Sequence, residues 1–169
     1  MKIPGVDCVV VRGSYDCLPL QNVVTKLKYS YWSGLHDILP ELLRPLVDEK
    51  LLPADAVIVP VPLHTRRRRE RGFNQAELIA HALSHVSGLP MIQTIERIRY
   101  TTPQAQLSAK QRQTNIIGAF GQGNMVVKKA NSVILVDDVI TTGSTVAECA
   151  TALRRQGVSK ITALALAKG

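Results

Sequence analysis

Hydrophobic and polar positions alternate between two rhythms along the chain. Cys8 to Arg12 is a β-branched run and reads as a short strand. From Pro19 to Tyr29, Leu20, Val23, Val24 and Leu27 fall on one face of a helix. A second helical stretch covers about Leu35 to Leu52, where Pro40 and Pro45 predict a kink or break. Ala56 to Val61 is continuously apolar, the signature of a strand buried on both faces of a parallel sheet. A basic loop is expected next, then a helix capped by Asn74 with Glu77 at its third position. Ala76, Ile79, Ala80, Leu83 and Val86 form its stripe, and Gly88 and Pro90 end it. Met91 to Tyr100 reads as a strand. Ser108 and Gln111 make a capping box for a short helix to about Ile117, and Ala119–Phe120 begins a weak strand or turn. Ser132 to Val136 is a second buried strand, followed by a polar loop. A helix opens at Thr145 with Glu148 as its capping-box partner, buries Val146, Cys149, Ala150 and Leu153, and ends at Gly157. Lys160 to Ala167 is the last strand. Strands alternating with helices through short connections predict an α/β domain with a mostly parallel sheet. Ligands in such sheets bind beyond the carboxyl ends of the strands.

Composition narrows this picture. The chain has 169 residues, 46% of them apolar, enough for one domain that holds a core without disulfide or metal. Lys and Arg number 21 against 13 for Asp and Glu, a net charge of +8 that points to anionic partners. Four tyrosines, two phenylalanines and one tryptophan are few for a platform that stacks single-stranded bases. The N-terminus has no apolar stretch of secretory length, and no apolar run approaches a membrane span, so a cytoplasmic protein without membrane insertion is expected. Cys8, Cys17 and Cys149 are scattered and form no C-x-x-C pair, so they read as reduced residues rather than zinc ligands.

The most informative segment is VILVDDVITTGST, Val133 to Thr145. Asp137 and Asp138 emerge at the carboxyl end of a buried strand. Neighbouring strand residues point to opposite faces, so the two act together only where the strand is already turning. Carboxylates there can hydrogen-bond a vicinal diol or hold a divalent cation. Thr141, Thr142, Gly143, Ser144 and Thr145 then lead into a helix N-terminus, whose free N–H groups and positive dipole end suit a phosphate. No Lys or Arg occurs between Asn131 and Leu153, so backbone and hydroxyls must do the holding. The string resembles the phosphoribosyl-pyrophosphate (PRPP) signature of type I phosphoribosyltransferases. Neither a G-K-[ST] triplet nor a G-x-G-x-x-G is present.

A second segment, VPVPLHTRRRRERGFNQAE from Val59 to Glu77, crowds Arg66, Arg67, Arg68, Arg69 and Arg71 between a buried strand and a capped helix. Arginine supplies the bidentate donors a pyrophosphate needs. This segment resembles the ComF (competence protein F, GntX-like) family, with its P-V-P-L, spaced arginines and R-G-F-N-Q. Arg99, Thr102, Pro103, Gln104, Leu107, Arg112, Asn115, Ala119 and Phe120 resemble a third stretch of that family, and Lys28–Tyr29 its L-K-Y. The resemblance covers about residues 20 to 169. Many members begin with a cysteine-rich zinc module that this sequence does not contain.

The resemblance implies a type I phosphoribosyltransferase-like α/β fold with helices on both faces of a mostly parallel sheet. It is expected as one domain, 1–169, with residues 1–54 as a small N-terminal hood and 55–169 as the PRPP-binding core. It implies that Asp137 and Asp138 hold the ribose hydroxyls, directly or through Mg²⁺, and that Thr141 to Thr145 hold the 5-phosphate. Arg66 and Arg71 would meet the pyrophosphate, with Asp137, Asp138 and Arg71 as the catalytic set. Arg99, Thr102 and Gln104 would belong to a mobile loop closing over the substrate. The implied chemistry is displacement of pyrophosphate at C1 of the ribose, with no acceptor legible. The rival expectation is a non-catalytic protein that binds PRPP or a nucleotide and assists DNA uptake or utilisation. Expected partners are PRPP, single-stranded DNA or a DNA-uptake protein, and a second copy of the chain.

Overall fold

A four-stranded parallel sheet organises the chain, in the order β1 (Cys8–Ser14), β6 (Lys160–Lys168), β5 (Ser132–Ile140), β2 (Val57–Pro60). The computed structural model describes residues 1–29, 34–100, 116–123, 125 and 131–169. The two central strands, β5 and β6, carry the longest buried runs, as covering on both faces of the sheet requires. Helices α1 (Leu18–Tyr29), α2 (Leu35–Asp48) and α4 (Gln75–Ser87) cover one face. Their Leu20, Val24, Leu27, Leu39, Leu43, Leu46, Ile79 and Leu83 pack on Ile58, Ile134, Val136, Leu164 and Leu166. Helix α5 (Ser144–Arg155) covers the other face through Val146, Cys149, Ala150 and Leu153, packed on Val133, Leu135, Ile161, Ala163 and Ala165. A two-stranded antiparallel ribbon, β3 (Ile95–Arg97) with β4 (Phe120–Gln122), adds Ile95 and Phe120 to that second core.

Five local expectations change. The stretch from Leu35 runs as one helix, with Pro40 and Pro45 inside it. Each interior proline costs roughly 3 kcal/mol. Burial of Leu39, Leu43 and Leu46, about 1.5–3 kcal/mol each, is large enough to hold the helix together. The basic segment is not a loop but a helix, α3 (Thr65–Arg71), whose first turn is capped by His64 Nδ1 accepting from the Arg66 N–H. The strand expected over Met91–Tyr100 is confined to Ile95–Arg97, with one separate bridge from Met91 to Ile58. The strand expected to stop at Val136 continues through both aspartates to Ile140. Finally, α5 starts at Ser144 behind Gly143 and not at a Thr145 cap, and Glu148 instead accepts from the Gly118 N–H. Residues 1–54, expected as a hood, contribute β1 to the edge of the main sheet and α1 and α2 to one of its faces. The helix expected from Ser108 lies outside the described residues.

Candidate functional site

In a parallel sheet all strands end on one edge, so the exits of neighbouring strands lie side by side. β2 and β5 are such neighbours, and the Val61 N–H extends their ladder by donating to Val136 O at 2.8 Å. The chain therefore leaves β2 toward His64 and the arginine helix directly beside Asp137. Asn74 ties that corner down. Its Oδ1 caps α4 by accepting from the Ala76 N–H, while its Nδ2 donates back to Val61 O at 3.0 Å. Gln75 Nε2 donates to Leu27 O at the end of α1. Both side chains are buried, so this pair of the R-G-F-N-Q motif is structural.

Asp137 and Asp138 lie within β5, not beyond it. Each aspartate uses Oδ1 to accept the next residue's backbone N–H, Asp138 N at 2.9 Å and Val139 N at 2.8 Å. The alternation of sides slips by one across them. Val133 and Leu135 face the α5 core and Ile134 and Val136 the core under α1, α2 and α4, yet beyond the aspartates Val139 joins the α1/α2/α4 core and Ile140 the α5 core. This slip is the local turning that lets adjacent carboxylates serve one edge. The Asp137 charge acts on both Cys149 and Arg97, which places it on the α5 side. Burial, reinforced by that carboxylate, pushes the Cys149 thiol well up, so it remains protonated and inert.

The loop after β5 exposes Thr141 and Thr142, buries Gly143, and half-buries Ser144 and Thr145 at the start of α5. Thr142 Oγ1 lies 2.8 Å from Ser144 Oγ and accepts from the Ser144 N–H at 3.4 Å. Gly143 has φ +76°, the left-handed conformation that favours glycine. Its missing Cβ would not point at an anion. It would lie 2.9 Å from Cδ1 and Cγ1 of Ile3.

Helix α3 sorts the arginines into faces. Arg66 Nε pairs with Glu70 at 3.0 Å, on the exposed side, and its guanidinium sits 4.9 Å from the Tyr100 ring centroid. Arg68 pairs with the largely buried Glu77 at 2.8 Å. Arg67 and Arg71, four residues apart, share the half-buried face and make no ion pair among the described residues. Gly72, at φ +83°, ends the helix. Arg71 and Arg67 thus share the half-buried face of α3, and Arg66 lies on its exposed side.

From the ribbon side, Arg97 is largely buried with its guanidinium 5.4 Å from the Phe120 ring centroid. Burial pulls its pKa down, Arg67 and Arg99 add to that, and Asp137 opposes it. Arg99 Nη2 donates to Ile117 O at 2.6 Å. Thr102 and Gln104, of the expected mobile loop, lie outside the described residues. Arg67 and Arg97 were not among the residues picked from sequence. The i, i+4 spacing of Arg67 and Arg71 would have found the first had the run been read as a helix. The period-two pattern Ile95, Glu96, Arg97, with Ile95 facing inward, carried the second.

A doubly covered parallel sheet with this acidic strand end and hydroxyl loop defines a type I phosphoribosyltransferase-like fold. The phosphoribosyl transferase domain family matches residues 70–169. A solved structure, the allosteric regulatory enzyme of purine biosynthesis, shares the fold with a TM-score of 0.52 and 19% identity, over 84% of this chain and 30% of that one. More particularly, the chain is 37% identical to competence protein F of Haemophilus influenzae over 98% of its own length and 74% of the relative's. It is 42% identical to the DNA utilization protein YhgH of Salmonella typhi, over 85% of this chain and 64% of that one. Competence protein ComFC of Bacillus subtilis matches at 34% identity over 60% of this chain and 39% of its own. The chain belongs to the ComF-like branch of the type I phosphoribosyltransferase family and is homologous to these competence and DNA-utilization proteins. It spans about two thirds to three quarters of the first two relatives. No helix of the described residues is long and apolar enough to cross a membrane.

Proposed function

We propose that this domain binds PRPP at the shared exit of β2 and β5 and transfers its phosphoribosyl group to an acceptor, releasing pyrophosphate in the cytoplasm. The observation that carries the reading is the convergence of three features on one sheet edge: paired aspartates, a hydroxyl loop opening α5, and an arginine face that makes no ion pair among the described residues. In this reading the 5-phosphate lies against the N–H groups and hydroxyls of Thr141 to Thr145, at the positive end of α5. Asp137 and Asp138 take the ribose hydroxyls. Arg71 and Arg67 take the pyrophosphate by charge-assisted hydrogen bonds.

The donor set fits magnesium only as a metal shared with the ligand. No cluster of three or more His, Cys, Asp or Glu side chains able to hold a metal is present among the described residues. One or two carboxylates with substrate oxygens, however, suit this ion. Asp137 and Asp138 would hold it through the ligand, where it neutralises charge on the pyrophosphate. In the reaction the C1–O bond breaks with its electron pair leaving on pyrophosphate, and the acceptor's lone pair forms the new bond to C1. The aspartates favour the positive charge that builds on the ribose, and the arginines favour the negative charge that builds on the leaving group.

Thermal melts test the binding step. PRPP with Mg²⁺ at about 100 times Kd should stabilise the fold by roughly 2.7 kcal/mol. No rise above a phosphate control would refute it. Pyrophosphate release with a panel of bases and amines tests the transfer. The names of the relatives favour a second reading, in which the same pocket binds PRPP or a nucleotide without turnover and serves DNA uptake or utilisation. Tight binding with no pyrophosphate release from any acceptor would select it.

A further inference from the structure

We infer that residues 3–7 form a strap that sets the conformation of the Thr141–Thr145 loop, with Ile3 as its positioning residue. The inference rests on that loop being the phosphate site, as proposed above. The strap lies along α5 from its beginning to its end. Ile3, 3% exposed, fills the space behind Gly143, with two of its carbons 2.9 Å from where a Cβ would stand. Pro4 and Gly5 then make a turn closed by the Val6 N–H donating to Ile3 O at 3.2 Å, with Gly5 at φ +76°. That turn presses on the middle of the helix, since a Cβ on Gly5 would lie 3.3 Å from Ala150 Cβ. At the far end, Arg154 Nη2 donates to Asp7 Oδ2 at 2.7 Å and its Nε to Gly5 O at 3.2 Å. Asp7 also accepts from the Ile161 N–H at 2.7 Å and donates its own N–H to Ile161 O at 2.9 Å.

This arrangement has a directional consequence. Strap, helix and the start of β6 are fastened at Asp7, so Ile3 meets the loop from a fixed point. The loop's left-handed turn at Gly143 follows the exposed Thr141 and Thr142, and the atoms nearest its Cβ position are those of Ile3. A glycine has many backbone alternatives, and contact with Ile3 removes those that collapse into the space behind the loop. The loop's N–H groups are then aligned before any anion arrives. Ligand affinity falls in proportion to the fraction of molecules whose loop is correctly formed.

The test compares the wild-type chain with Ile3→Ala and Ile3→Val. Amide hydrogen exchange by NMR is read at Ser144 and Ala147, whose N–H groups donate to Thr142 Oγ1 and Gly143 O. PRPP binding with Mg²⁺ is read by calorimetry, well below each variant's own Tm. Ile3→Ala should speed exchange at Ser144 and Ala147 relative to the β6 amides and raise the PRPP Kd about tenfold, the result of a tenfold drop in the competent fraction. Ile3→Val, which removes one methylene from the same contact, should shift both in the same direction by a smaller, still measurable amount. If Ile3→Ala lowers Tm but leaves loop exchange and Kd at wild-type values, Ile3 is a core residue only and the inference is overturned. If wild type itself binds no PRPP, the proposed function fails, and loop exchange still decides whether the strap sets the loop. Should Ile3→Ala not fold, Ile3→Val decides alone: exchange and Kd both unchanged would overturn the inference.

Discussion

Replacing Gly143 by alanine should destabilise the fold, because the added carbon strikes the protein and not the ligand. Two terms contribute. A residue with a Cβ held at φ +76° costs about 1–2 kcal/mol relative to glycine. The Cβ would also lie 2.9 Å from two carbons of Ile3, well inside the roughly 3.5–4.0 Å of ordinary carbon contacts. Overpacking of this kind costs about 1–3 kcal/mol. The sum, about 2–5 kcal/mol, is a large part of a typical stability of 5–15 kcal/mol. Gly72→Ala is the control, because Gly72 has φ +83° with no atom within 4 Å of its Cβ position, so only the backbone term should appear. Denaturant unfolding of Gly143→Ala, Ile3→Ala and the double variant completes a cycle. The double variant should be less destabilised than the sum of the singles by about 1–3 kcal/mol, since the new methyl enters the space Ile3 vacates. A coupling near zero would refute the packing argument. So would a Gly143→Ala protein of wild-type stability that no longer binds PRPP, for the carbon would then occupy the anion's place.

Arg71→Ala and Arg67→Ala should each weaken PRPP binding about 10- to 150-fold in calorimetry, from the loss of one charge-assisted hydrogen bond, with Arg69→Ala changing it little. An equal loss in Arg69→Ala would overturn the assignment of faces on α3. The Ile161 N–H bonded to Asp7, helped by Arg154, holds the Asp7 carboxyl below its ordinary value of 3.8. Its contribution is therefore present above about pH 4 and lost as pH falls through the depressed folded pKa. Asp7→Asn should accordingly narrow its stability gap to wild type as denaturation is repeated from about pH 5 down to about pH 2.5, and a constant gap would contradict the linkage. In native protein a thiol reagent should modify the exposed Cys8 and Cys17 but reach Cys149 only on unfolding, and rapid native labelling at Cys149 would show the α5 core to be open.

The legible parts of the fold were those where one physical effect dominates. Ile134 to Val136 and Ala163 to Leu166 are buried on both faces, and an unbroken apolar run is what such strands require. Asn74 and Gly88 were read as helix ends because a side-chain cap and a left-handed glycine each solve a defined backbone problem. Where effects compete, the reading went astray. Two prolines argued for a break in α2, and the leucine stripe outweighed them. Asp137 and Asp138 have poor strand propensity, but pairing with β6 carries β5 past them. A Thr145–Glu148 capping box falls one residue inside α5, and the helix starts at Ser144 behind Gly143, which packs against Ile3, a contact across most of the chain. No local pattern signals such a contact, which is why the strap was invisible to a reading by motif.

The arginine run shows how local structure changes the meaning of composition. As a flexible loop, five arginines form a diffuse cationic patch that suits a nucleic acid as well as a small anion. As one short helix they separate by angle. Arg66 and Arg68 meet Glu70 and Glu77, acidic residues on the same helix and on the next, so much of the outward charge is neutralised in place. The exposed Arg66–Glu70 pair adds little stability, so its chief effect is on the surface potential. Arg67 and Arg71 lie on the half-buried face of α3, the helix that follows β2, the strand paired with β5. Two half-buried guanidinium groups that make no ion pair among the described residues are costly to fold unless an anion arrives to meet them. The cost is sensible where the anion is the ligand. Net charge alone pointed to DNA and to a phosphorylated metabolite with equal force. Its distribution over α3 favours an anion small enough to lie between that helix and β5.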